Sequence, residues 1–170
     1  LVGILRTEPY ENGSVIPHEE TFSKVKEDRL NLLRDMETHL ESIFGIFEGL
    51  SDALGRRIAD EARLVYRFVD GDGVEHRFHR IADAEICSAI TEELKGQRML
   101  IADGHHRYET ALNYSLENPG DERKGFVLAT LVAGDDKGLV IWPTHRLVRA
   151  ESISEKNAIA KMSERMTLQE

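Results

Sequence analysis

Apolar positions recur along this chain with two periods, and the switches between them mark the elements. Leu1 to Arg6 reads as a strand, and Glu8 to Gly13, with Pro9, Asn12 and Gly13, reads as loop. From Ser23 the period lengthens. Leu30, Leu33, Met36, Leu40 and Phe44 fall at helical spacing, which predicts a helix from Ser23 to Ser42 with charges on its other faces. A short strand follows at Ile43 to Phe47, then a helix from Leu50 to Glu61 interrupted by Gly55. Arg63 to Val69 and Val74 to Ile81 are rich in β-formers and flank Asp70-Gly71-Asp72-Gly73, which predicts a hairpin. Asp83 to Leu94 reads as a helix stopped by Gly96. Phe126 to Ala133 and Leu139 to Trp142 flank a second turn-rich segment, Gly134 to Gly138, and predict a second hairpin. Ser152 onward reads as a charged helix. The expected fold is α+β, a mixed sheet with two hairpins and flanking helices, in a single domain over residues 1–170.

One stretch organises the rest. Met99 to Asp103 is an apolar run that reads as a buried strand, and Tyr108, Ala111, Leu112 and Ser115 then recur at helical spacing. Between them lies Gly104, followed by His105, His106 and Arg107. A sharp strand-to-helix turn leaves the first helical N–H groups without backbone partners, and with the helix dipole they attract an anion. Glycine lets a ligand approach the backbone. Asp103, the two imidazoles and the forked Arg107 add the groups of a phosphate site with proton transfer beside it. The plainer alternative is that Asp103 caps the helix and one histidine sits satisfied in the core.

Composition narrows the classes. The 170 residues carry a net charge of −9, which argues against broad nucleic-acid or acidic-membrane binding. A single cysteine excludes an internal disulfide and a cysteine-rich zinc site, and Cys87 is expected in the core beside Ile86, Ile90 and Leu94. No apolar run approaches the ~18 residues of a membrane span. No signal peptide is visible, so a cytoplasmic location is expected. The chain starts at Leu1 inside a strand pattern and ends at Glu170 inside a helical one, as expected of a piece of a longer protein.

Two flanking segments carry further candidate chemistry. Pro17-His18-Glu19-Glu20-Thr21 precedes the first helix as a polar loop, and Lys26 and Arg29 follow in that helix within reach of a ligand bound beside the loop. His18-Glu19 opens like a zinc-protease motif, but Phe22 stands where the second histidine belongs. Pro143-Thr144-His145-Arg146 lies at an expected strand end, where ligand groups gather.

Pro17-His18-Glu19 with Thr21, Lys26 to Leu30, Ile43 to Gly45, the Ala102 to Ala111 block and Pro143 to Val148 together resemble the family called domain of unknown function 1015. That family is similar to the ParB and sulfiredoxin superfamily, whose Gly-x-x-Arg turn at a helix N-terminus holds nucleotide phosphate. Gly104 and Arg107 match that turn. His105 stands where sulfiredoxin has its catalytic cysteine, and His105-His106 stand where ParB has Glu and Arg. Neither sulfinic-acid reduction nor a partition role is therefore expected.

Free serine kinases carry a similar Asp-Gly-His-x-Arg turn. The resemblance implies an ATP- or ADP-dependent transfer to the hydroxyl of free L-serine or a similar metabolite, with Mg2+. It implies Glu19 as base, with Glu20 the weaker candidate. Gly104 and Arg107 would cradle phosphate, His105 and His106 would contact its oxygens, and Asp103 would hold magnesium through water or orient a histidine. His18, His145 and Arg146 would complete the pocket, and Lys26 or Arg29 would bind the substrate carboxylate. The partners expected are a nucleotide and a small molecule, with no nucleic acid and no membrane. The alternatives are a non-catalytic nucleotide sensor and a metal-dependent hydrolase using Asp103, His105, His106 and His145.

Overall fold

The computed structural model describes residues 1–142 and 154–165. The chain divides into two compact units, Leu1–Leu139 and Val140–Glu170.

The first unit is α+β, with a mixed five-stranded sheet flanked by helices. Its strands are β1 (Val2–Arg6), β2 (Val15–Ile16), β3 (Ile43–Phe47), β6 (Met99–Asp103) and β7 (Phe126–Ala133), in the order β1-β7-β3-β6-β2. β1 runs antiparallel to β7, β3 parallel to β7, β6 antiparallel to β3, and β2 parallel to β6. The middle strands alternate buried and half-exposed residues, as expected where one face lies on the core. Ile43, Ile101, Val127 and Tyr108 are fully buried and join sheet to helix. Gly45 lets β3 lie close to its neighbours, because a Cβ there would fall 2.5 Å from Met99 Sδ.

The helices of this unit are α1 (Ser23–Met36), α2 (Asp52–Glu61), α3 (Ala84–Leu94) and α4 (His105–Glu117). Ser51 caps α2 by accepting the Leu54 N–H, and Asp83 caps α3 by accepting from Glu85 and Ile86. α1 lies along α4, tied by Lys26 to Glu109 and by Arg34 to Glu117.

The first helix stops at Met36 rather than Ser42. Glu37 takes the left-handed conformation with φ 47° and donates its N–H to Leu33, while its carboxylate accepts from Lys124. The second hairpin does not form either. Residues 139–142 make no strand, because both edges of β7 are already taken by β1 and β3. Cys87 is exposed rather than in the core, since α3 turns Ile86 inward instead.

The first hairpin does form, from β4 (Arg63–Val69) and β5 (Glu75–Arg80), and it makes a separate two-stranded sheet. Every residue of both strands is exposed. Tyr66, Phe68, Phe78 and His76 stack into an aromatic ladder with centroids 4.8–6.3 Å apart. Asp70 closes the turn by accepting from Asp72 and Val74, the turn chemistry its sequence implies.

The second unit contains α5 (Glu155–Ser163), capped by Ser154. His145 and Arg146, with the rest of Pro143–Arg146, lie outside the described residues.

Candidate active site

β6 ends at Asp103, the chain turns at Gly104 with φ 94° and ψ 29°, and α4 begins at His105. The positive φ explains the glycine, since other L residues pay for that conformation. Close approach is a second reason: a Cβ at position 104 would stand 2.9 Å from Arg107 Nε. The first bond of the helix runs from the Tyr108 N–H to the Gly104 carbonyl, so the N–H groups of residues 105–107 precede the ladder. No side chain among the described residues caps this end. Asp103 is therefore not the cap. Its Oδ2 accepts from Arg107 Nη2 at 2.6 Å.

The three residues after the glycine point to different neighbours. His105 is 2 % exposed. Its Nε2 accepts the His18 N–H at 3.2 Å, and its Nδ1 lies 4.0 Å from Glu19 Oε1. An accepting Nε2 places the proton of the neutral ring on Nδ1, the atom that faces Glu19. Burial, and the His18 ring packed edge-on at 4.5 Å, lower the His105 pKa, while Glu19 and Asp103 oppose the shift. The His18 Nε2 reaches the Ala102 carbonyl at 3.3 Å.

His106 accepts the Phe22 N–H on its Nε2 at 3.1 Å and stacks on the Phe22 ring. One turn later, Glu109 accepts from Thr21 Oγ1 at 2.6 Å and Lys26 Nζ at 2.7 Å. Burial disfavours its charge, but those two donors outweigh burial and hold its pKa below the ordinary value. The segment from His18 to Lys26 is thus fastened to the first turns of α4 through His105, His106 and Glu109.

Arg107 points the other way. Nη1 donates to Glu41 Oε2 at 3.0 Å and to the Ser42 carbonyl at 2.6 Å, and Nη2 donates to Asp103. The guanidinium is 20 % exposed, against 68 % for Glu41 and 73 % for Asp103. The carboxylates are the groups that water reaches.

Of the residues expected at the site, Glu19, His18, Asp103, Gly104, His105, His106 and Arg107 come together around the turn. Lys26 joins through Glu109 and is ion-paired there. Arg29 lines a cleft together with Arg107. Glu41 and Ser42 were missed, and no periodicity in their segment marks them. Glu109 and Thr21 lie inside the motifs that carry the family resemblance, and the sequence alone assigns them no role. Their acid-and-hydroxyl pairing is a signal only once the two segments are known to meet.

The fold and the site define an α+β unit built around a strand–glycine–helix turn, with an acidic loop fastened over it. The chain belongs to the family described as protein of unknown function (DUF1015), whose model matches residues 1–170. Comparison with curated proteins and with solved structures found no match. No helix among the described residues is long and apolar enough to cross a membrane.

Proposed function

We propose that this chain is a nucleotide-dependent small-molecule kinase, transferring a phosphoryl group from ATP or ADP to the hydroxyl of free L-serine or a similar metabolite. The observation that carries the reading is the placement of the Glu19 carboxylate 4.0 Å from His105 Nδ1, beside an uncapped helix start. Phosphoryl transfer needs a seat for phosphate, neutralisation of its charge and a base near the accepting hydroxyl. The N–H groups of residues 105–107 supply the seat, and the Arg107 fork joins it as phosphate displaces the exposed Glu41 carboxylate from Nη1. Glu19, 52 % exposed, is open to a hydroxyl and takes its proton. His105 turns its Nδ1 toward the Glu19 carboxylate at 4.0 Å, and its Nε2 anchors the adjoining His18 N–H, so it positions the loop rather than contacting phosphate directly.

Magnesium commonly uses one or two carboxylates with phosphate oxygens, and Asp103, with Oδ1 outside its bond to Arg107, fits that set. When bound, it neutralises phosphate charge. A metal-dependent hydrolase is the weaker reading. The Nε2 lone pairs of His105 and His106 are both occupied by backbone N–H groups. ATP or ADP as donor implies a cytoplasmic setting, with a small molecule as the second substrate.

The test is phosphorus NMR of the protein with magnesium, L-serine and either ATP or ADP. O-phosphoserine that disappears in Arg107→Ala supports the kinase. Nucleotide binding without product would make the protein a sensor, and neither would return Asp103 and His105 to a purely structural role.

A further inference from the structure

Among the described residues, β4 and β5 pair only with each other, and every residue of both strands is exposed. A two-stranded sheet alone is marginal in water, whereas a sheet of more strands with an apolar face is not. We propose that the outer edge of β5 is a homodimer interface. There β5 of a second copy of this chain pairs antiparallel, about a two-fold axis through Arg77.

The backbone selects the edge. β4 is bulged between Leu64 and Tyr66, which twists its outer edge and spoils it for a further strand. β5 pairs without a bulge of its own and holds neither Pro nor Lys. At the turn, the Asp70 N–H bonds to the Val74 carbonyl at 3.0 Å. The antiparallel ladder alternates from that pair onward. His76 and Phe78 therefore bond inward to β4, while Glu75, Arg77 and His79 turn their N–H and C=O groups outward.

The side chains select the occupant. With the axis at Arg77, Glu75 of one copy stands opposite His79 of the other, and Arg77 opposite Arg77. Each outward residue then exchanges both backbone bonds with another outward residue. Arg77 already donates from Nε and Nη2 to its own Glu75, at 2.7 and 3.2 Å. Two such pairs related by the axis lie head to tail, so each cation has the second copy's carboxylate on its diagonal. On the other face, His76 stands beside Phe78 of the second copy. The stack of Tyr66, Phe68, His76 and Phe78 thus continues across the junction. Neighbouring axes pair fewer residues: one at His76 leaves His79, and one at Phe78 leaves Glu75, without a strand partner.

Sedimentation equilibrium over a concentration series, with amide exchange on the same samples, tests this. The shared edge is small, so a monomer–dimer equilibrium with a dissociation constant of roughly micromolar order is expected. Protection of the Glu75, Arg77 and His79 amides is expected to rise with protein concentration. Protection of His76 and Phe78, already bonded to β4, is expected to stay constant. Arg77→Pro removes an outward N–H and no bond of the hairpin, and Glu75→Lys leaves only cations at the axis. Each is expected to weaken association about tenfold or more, with His76 and Phe78 still protected. A monomer at every concentration up to about 1 mM overturns the proposal. So does a dimer that survives either variant, or one that forms with the Glu75, Arg77 and His79 amides unprotected.

Discussion

His105 Nε2 accepts the backbone N–H of His18 across 87 positions of sequence, at 3.2 Å. That bond does two things. It satisfies a buried ring, and it brings the next residue, Glu19, over the helix start. His106 repeats the arrangement with Phe22, so the paired histidines act as two fasteners on one loop.

Replacing His105 by Ala removes a buried ring and leaves the His18 N–H without its acceptor. The expected loss is about 2–4 kcal/mol of stability in urea unfolding, with faster amide exchange at His18. Unchanged stability and exchange would show that the loop is held by other contacts.

Glu19→Gln keeps the shape of the side chain but removes the proton acceptor. Turnover is expected to fall on the order of 10²–10⁴-fold, with nucleotide affinity unchanged. Equal losses in turnover and affinity would move Glu19 from catalysis to binding.

Gly104→Ala meets both a φ of 94° and a Cβ 2.9 Å from Arg107 Nε. The expected cost is about 1–2 kcal/mol in thermal unfolding, with a larger loss in pyrophosphate affinity as Arg107 is displaced. Wild-type affinity in a destabilised variant would separate the glycine's conformational role from any role in binding.

Acid should loosen the junction of α1 and α4. The folded-state pKa of Glu109 lies below its ordinary 4.5, so its pairing stabilises the fold fully above that value. This contribution is lost as pH falls through the lowered value. Glu109→Gln should flatten that part of the stability–pH curve, and a curve of unchanged shape would remove Glu109 as its source.

The local elements were legible where one residue or one period decides them. Gly104 between an apolar run and a helical pattern marks the central turn, and Asp70-Gly71-Asp72-Gly73 marks the hairpin. The misses have a common origin in distant partners. α1 ends where Glu37 takes the left-handed conformation, with Lys124 from a distant segment on its carboxylate, and residues 139–142 stay out of the sheet because β1 and β3 hold both edges of β7. The site divides the same way. The cluster after Gly104 is contiguous and visible, while Glu41 meets Arg107 across 66 positions that no local pattern spans.

Strand order carries a further consequence, for how the chain reaches this structure. Among the described strands of the five-stranded sheet only β3 and β6 are both neighbours and consecutive, with two helices and the separate hairpin between them, and β1 must wait for β7 to be made before it can pair. Each pairing closes a long loop before any contact rewards it, which makes sheet assembly slower than any local pairing in the chain. The β4–β5 hairpin closes across only a few residues and is expected to form within ~1–10 μs. During synthesis it emerges before β6 and β7 exist, so an exposed aromatic ladder is complete before the sheet can close.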